Sequence, residues 1–332
     1  MNQSDYADYA GYIRVLEKKL LPGESINKIA DAPSLQESIR IASQNGGYDF
    51  SSLKYPEDFE SVLINELKRI YKTGFEICVN KDIVKALSIK HDYNNLKMAI
   101  KSHLLNSGQP SYSYATDVNP DDFSKLFADK EDLSQIPPYI KEAFKKAMDV
   151  YEKTKDPQSV SIALDKEMFT QMVDLAEKLN SELITDYVRA SVDSYNLKAL
   201  IRCMSLKKDL SFLNTVLIEG GKISKKEISD YFNKPNDYIS NKLFYKYMGQ
   251  PLKAGVDNFQ VTKSLSLFEK LLDDYLVTLL KKVKYIPFGP ELIFAYIANK
   301  ENEIRQLRII FTGKRSGIPA EKLKERLREN YA

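Results

Sequence analysis

An all-α chain is the fold class this sequence predicts, on three observations. Glycine and proline are scarce, 13 of each in 332 residues, which is low for a loop-rich β protein. Apolar residues recur at three- and four-residue spacing along most of the chain, and strand-like alternation is absent. A ten-residue pattern on one long helical stretch returns about a hundred residues later, as it does where helical units are duplicated. Roughly 65% helix is expected, against about one third in ordinary globular chains.

The elements follow in order. Tyr9, Tyr12, Ile13, Leu16 and Leu20 share one face of a helix over about 5–21, stopped by Pro22-Gly23. Pro56 opens a second pattern over 56–79, with Phe59, Leu63, Leu67, Ile70 and Tyr71 on one side. A third runs over 81–105 and ends at Asn106-Ser107-Gly108, a good stop signal. Further helices are expected over 136–153, 160–179, 181–205, 263–283, 290–312 and 319–329.

The repeated pattern reads D-x-x-N-L-K-x-x-I-(K/R). One copy spans Asp92 to Lys101 and the other Asp193 to Arg202. A weaker third copy runs from Glu303 to Arg308, with Glu303 in register with Asn196. Three units are therefore expected, 1–109, 110–220 and 221–332, joined near Gly108–Pro110 and Gly220-Gly221. On a helix, Leu96 and Ile100 form a buried stripe, and Lys97 and Lys101 occupy the next one. Asp92 and Asn95, about a turn earlier, are placed to bond a neighbouring helix or loop. The pattern then serves packing and polar contacts between helices. Alternatively, Lys97, Lys198 and Arg305 present a threefold set of charges to a partner.

Composition narrows the function. The chain is 43% apolar and 29% charged, with a net charge of +3, so the totals do not indicate a nucleic-acid binder with a strongly basic face. Two cysteines, Cys78 and Cys203, cannot form a disulfide framework or a cysteine-rich zinc site, and a reducing compartment is the default. The N-terminus lacks an apolar signal core. The most apolar stretches, 271–280 and 286–298, are interrupted by Asp273-Asp274 and by Pro287, Pro290 and Glu291, so no membrane span is expected.

A search for chemistry returns little. His91 and His103 are 12 residues apart, unlike metal-binding pairs on a helix, and are expected at the surface or in helix packing. Cys78, between Ile77 and Val79, reads as a buried small hydrophobe. Asp273-Asp274 is the best carboxylate pair, but no third acid follows, and a solvated helix face is expected. Asp121-Asp122 reads as a helix start. Gly220-Gly221-Lys222-Ile223 and Gly313-Lys314-Arg315 both lack the leading glycine and the Ser/Thr of a phosphate loop. Charge is uneven: residues 300–332 carry nine basic and five acidic side chains, while the rest of the chain is net −1. This basic tail is either a solvated helical surface or a docking surface for an acidic partner.

The segment AYIANKENEIRQLRIIFTGK, followed by GIPAEKLKERLRENY, resembles the C-terminal signature of the C subunits of the archaeal and bacterial V-type (A-type) ATPases. Their counterpart in the vacuolar enzyme is its d subunit. The opening YAGYIRVLEKKLL is similar to the family's first helix, and the two motif copies correspond to its internal repeats. The resemblance covers essentially the whole chain and is weakest over about 222–262. It implies an all-helical funnel of three pseudo-threefold-related units. It also implies a non-catalytic rotor adaptor of the central stalk, joining the shaft of subunits D and F to the membrane proteolipid ring. Such an adaptor transmits torque for ATP-coupled proton or sodium transport, without cofactor, metal, nucleic acid or membrane span. It would be cytoplasmic, and peripheral to the membrane through the complex. Arg305, Arg308, Lys314 and Arg315 are the expected partner contact. The alternatives are a helical Mg-dependent isoprenoid-type enzyme using Asp273-Asp274, and a helical scaffold or nucleic-acid binder using the basic tail.

Overall fold

The structure, a computed structural model, describes residues 6–332 apart from 109, 114, 117, 129–131 and 247. Among these no strand forms, and helices take up about two thirds of the chain. They are α1 (Ala7–Glu17), α2 (Gly23–Asp31), α3 (Leu35–Gly46), α4 (Phe59–Ile77), α5 (Lys81–Leu105), α6 (Pro138–Thr154), α7 (Pro157–Lys178) and α8 (Glu182–Ser205). The second half holds α9 (Leu210–Val216), α10 (Lys225–Tyr231), α11 (Asn236–Phe244), α12 (Gly249–Thr262), α13 (Ser266–Lys281), α14 (Pro290–Arg315) and α15 (Ala320–Lys324). Short 3-10 turns cover Pro56–Asp58, Pro120–Phe127 and Lys282–Tyr285.

Local chemistry sets many of the ends. Ser34, Asn80, Asp156, Ser181, Asp209 and Ser224 cap helix starts, each side chain accepting a backbone N–H of the first turn. Asn106 leaves α5 in the left-handed conformation, which asparagine tolerates. Asp121-Asp122 does sit at a helix start, in a 3-10 turn capped by Asn119.

Two predicted helices end early, and tertiary contacts explain both. The first stops at Glu17 rather than at residue 21. The Leu21 N–H, which a longer helix would use internally, donates instead to Glu303 Oε2 at 2.5 Å. The last stops at Lys324 rather than 329. Beyond it the backbone is bound by neighbours: Glu329 N–H donates to Asp274, and the Glu329 carbonyl accepts from Asn302.

Three apolar cores organise the packing. The first gathers α1, α5, α6 and α7 with parts of α4, α8, α13 and α14. The second holds the later part of α8 with α9–α13, and the third holds α2, α3, the start of α4 and the later part of α14. Several long helices bridge cores. Leu292–Ala298 of α14 lie in the first, whereas Ile304, Leu307, Ile310 and Phe311 lie in the third. In α8, Ile184 and Val188 belong to the first core, and Leu197, Leu200 and Ile201 to the second. Helices buried on several sides are apolar nearly all round; every side chain from Leu292 to Lys300 is buried.

Six of the helices close a circuit. Helix α4 packs on α5, α5 on α7, α7 on α8, α8 on α13, α13 on α14, and α14 back on α4. Chain neighbours supply three of these contacts. The other three, α5 on α7, α8 on α13 and α14 on α4, are made by the motif-bearing helices.

Candidate functional site

Each motif helix carries a polar joint. The Asn95 side-chain amide donates to the Ser113 carbonyl at 2.7 Å, and its Oδ1 accepts the Ser113 N–H at 2.8 Å. Asn196 treats Ile218 identically, both bonds being 2.8 Å. One turn earlier, Asp92 accepts from the Thr116 and Tyr139 hydroxyls. Asp193 accepts the backbone N–H groups of Lys222 and Ile223 at 2.9 and 3.1 Å. In the third copy, Glu303 accepts from Leu21 N and, at 2.6 Å each, from the Tyr48 hydroxyl and the Lys300 ammonium. Asp92, Asn95, Asp193, Asn196 and Glu303 are all buried. Each is spoken for by a partner, as buried polar groups must be.

An ion pair to the next helix of the circuit lies beside each joint. Lys97 of α5 pairs with Asp165 of α7, and Lys198 of α8 with Asp273 of α13 at 2.7 Å. Arg308 of α14 pairs with Glu60 of α4, its guanidinium straddling both carboxylate oxygens at 2.7–3.0 Å. The repeated Lys97 and Lys198 therefore make inter-helix polar contacts, with Leu96 and Ile100 as the buried stripe beneath; Arg305, in register with Lys198, reaches Asp273 instead, and Arg308, three residues on, makes the third pair.

Near the middle, α4, α5 and α14 meet at Glu301. Its carboxylate accepts from Tyr71 Oη at 2.7 Å, lies 3.0 Å from His91 Nε2, and is paired with Lys90. Burial opposes its charge, but Lys90 and His91 outweigh burial and bring its pKa down to about 2. His91 thus packs between helices, its ring edge-on to Tyr71, and His103 stacks on Phe127.

Asp273 differs from its expected place on a solvated face. It is bound by Lys198, Arg305 and Arg328, and those cations hold its pKa below the ordinary carboxylate value despite burial. Asp274 accepts from the Glu329 N–H and pairs with Lys270. The Asp273-Asp274 pair is thus consumed by internal cations, and among the described residues no three His, Cys, Asp or Glu side chains are grouped to hold a metal. The Gly220-Gly221-Lys222 turn does cradle an anion, but that anion is the chain's own Asp193. Gly220 has φ +97, and a Cβ on Gly221 would lie 2.1 Å from Asp193 Oδ1. Both thiols are buried, and burial pushes that of Cys78 up to about 11.

The four residues of the expected partner contact scatter along the end of α14. Arg305 reaches Asp273 at 3.5 Å with its side chain 54% exposed. Arg308 holds Glu60, and Lys314 donates to the Ala32 carbonyl at 2.5 Å. Arg315 lies over the Phe59 ring at 5.7 Å. Much of the basic tail is thus answered from within: Lys300 by Glu303, Lys324 by Asp31 and Arg328 by Asp273. The partners Asp165, Glu60 and Tyr48 do not stand out in the sequence, and Tyr71 stands out only as one of an apolar helix face. They lie 68, 248, 255 and 230 residues from the groups they meet.

Buried charges that serve internal joints, on a closed circuit of long helices, define a helical scaffold. The family described as "ATP synthase (C/AC39) subunit" matches residues 10–326. The C subunit of the V-type sodium ATPase of Enterococcus hirae is 22% identical, over 98% of this chain and 99% of its own length. The C subunit of the A-type ATP synthase of Methanocaldococcus jannaschii is 23% identical over 97% of this chain and 87% of its own. That of Methanobrevibacter smithii reaches 30% identity over 54% of this chain and 49% of its own. The chain belongs to this family, the C subunits of V/A-type rotary ATPases, and is a non-catalytic adaptor of the rotor.

Proposed function

We propose that this chain couples the central shaft, subunits D and F, to the membrane proteolipid ring and carries torque between them. The observation that carries this reading is the cyclic order of the three joints. The motif of 1–109 grips 110–220, at Ser113 and Asp165. The motif of 110–220 grips 221–332, at Lys222 and Asp273. The motif of 221–332 grips 1–109 again, at Leu21 and Glu60. Three units of one design, each holding the next, would be arranged about a pseudo-threefold axis.

A funnel shape has support of its own. Asn80, Asn180 and Gly289–Glu291, at the starts of α5, α8 and α14, line one cavity of about 400 Å³. Farther along, α8 and α14 leave the shared core for separate ones. Three rods that start together and part would leave a narrow end for one partner and an open mouth for the other. Moving one charge against 100 mV takes about 2.3 kcal/mol. A body that passes on work of that order must not slip at its joints, and close-packed cores resist compression. Among the described residues no helix is long and apolar enough to cross a membrane. On the adaptor reading the chain would sit on the cytoplasmic face, held to the membrane through the complex. Arg305, Arg308, Lys314 and Arg315 remain the proposed contact with the shaft, Arg305 and Arg315 being its more exposed part.

The test is retention of purified D–F shaft on immobilised, detergent-solubilised ring. The shaft should be retained only when this chain is added. Retention without it, or none with it, overturns the reading.

A further inference from the structure

Helices α13 and α14 follow one another in the chain and then part. Where the turn 282–289 joins them they share the first core, through Val277, Leu280 and Val283 on one side and Leu292–Ala298 on the other. Away from the turn they separate. Phe268 and Leu272 of α13 lie in the second core, and Ile304, Leu307, Ile310 and Phe311 of α14 lie in the third. Those two cores have no residue in common. Close-packed apolar contact, which resists deformation, therefore fixes the two helices to each other at one end. The other end needs a different fastening.

Residues 327–331 supply one, in a stretch without helix. Leu327 is buried in the third core and Tyr331 in the first. The Tyr331 hydroxyl donates to Glu17 of α1 at 2.8 Å, and the Lys284 ammonium lies 4.9 Å from its ring centre. Between these two anchors the segment reaches α13. Arg328 Nε donates to Asp273 at 2.9 Å, and the Glu329 N–H donates to Asp274 at 2.5 Å. The Glu329 carboxylate pairs with Lys281, and the Lys270 ammonium donates to the Leu327 carbonyl. The same segment holds α14: Asn302 donates to the Glu329 carbonyl at 3.0 Å, and Gln306 to Asn330 Oδ1 at 2.7 Å. Arg328, Glu329 and Asn330 thus tie α13 to α14 where the two helices lie in different cores.

We propose that residues 327–331 are a strap that sets the angle between α13 and α14, and that its release lets the helices of the second core swing away from those of the third about the turn 282–289. Gly289, at φ +155, gives that turn a backbone conformation that favours glycine, as a pivot requires. The hold of the strap on α13 is made of ion pairs and hydrogen bonds, so it can give way while the three apolar cores stay intact. The strap needs no partner, and its test is separate from that of the adaptor reading. On that reading it keeps the helices of the second core from yielding under load.

The experiment reads the distance between the two sets of helices in the full chain, by double electron–electron resonance between spin labels on Val261→Cys of α12 and Gln36→Cys of α3. Both positions are exposed, and the native thiols are buried. Arg328→Ala removes the central bond of the strap, and Lys281→Ala trims its more exposed edge. Arg202→Ala is the control, because it cuts an ion pair made to Glu269 of α13 from the side of α8. Thermal melts check each variant. With the strap unaltered, one narrow distance is expected. Arg328→Ala should broaden it and move its mean by more than about 2 Å. Lys281→Ala should act in the same direction and less, and Arg202→Ala should change nothing. An unmoved distance in folded Arg328→Ala overturns the strap; where that variant does not fold, an unmoved distance in Lys281→Ala does so. Equal movement in Arg202→Ala, or a distance already broad with the strap unaltered, overturns it as well.

Discussion

Asn196 holds Ile218 by both of its backbone groups, donating to the carbonyl and accepting the N–H, each at 2.8 Å. A side-chain amide sets a donor and an acceptor side by side, matching the carbonyl and N–H of a single residue. Asn95 does the same to Ser113, so the recurrence of asparagine in the motif has a geometric cause.

Replacing Asn196 by Leu leaves a buried N–H and a buried carbonyl unpartnered. Each costs about 1–3 kcal/mol. Urea denaturation should show a loss of about 2–6 kcal/mol. Asn95→Leu should lose less, because its joint is only partly buried.

Gly221→Ala tests the turn that Asp193 anchors. An added Cβ meets Asp193 Oδ1 at 2.1 Å, so the turn or the carboxylate must move. A destabilisation of about 1–3 kcal/mol is expected. Gly11→Ala, whose Cβ meets nothing within 4 Å, is the control and should not destabilise.

The Glu301 cluster makes stability depend on acid. Its folded pKa of about 2 lies below the ordinary 4.5. The stability it supplies is therefore fully present above about pH 4.5 and is lost as pH falls toward 2. The contribution is at most about 3 kcal/mol. Urea midpoints taken across that window should fall more steeply for the unaltered chain than for Glu301→Gln, which is less stable at neutral pH. Parallel curves would contradict the role given to Glu301.

Much of the helical layout was legible because periodicity and stop signals agree. The stretch 81–105 ends at Asn106, which takes the left-handed conformation, and α14 starts at Pro290 as its missing N–H allows. Apolar periodicity overruns the helix where a distant group captures the backbone, as Glu303 does at Leu21 and Asp274 at Glu329. Helix α12 was hidden by Gly249, Pro251 and Gly255, residues that favour breaks; Gly255 is needed where Phe268 presses within 2.8 Å of its Cβ position. The motif asparagines and lysines were visible as a repeat. Of the acceptors, Asp273 stands out as one of an acid pair, whereas Asp165 carries no pattern and meets Lys97 only through packing.

The thiols report on the cores. Cys78 and Cys203 are both buried, and burial raises both pKa values. Thiolate is the reactive form, so the native chain at pH 8 should react slowly with a disulfide reagent, and both thiols should react promptly in denaturant. Fast native reaction of Cys78 would show that the first core opens easily.

ATP-driven ion uptake into proteoliposomes bearing the rotary ATPase, assembled with and without this chain, tests the adaptor most directly. Without it, nucleotide hydrolysis should continue while uptake is lost, and adding the purified chain back should restore uptake. Uptake that persists in its absence would contradict the account.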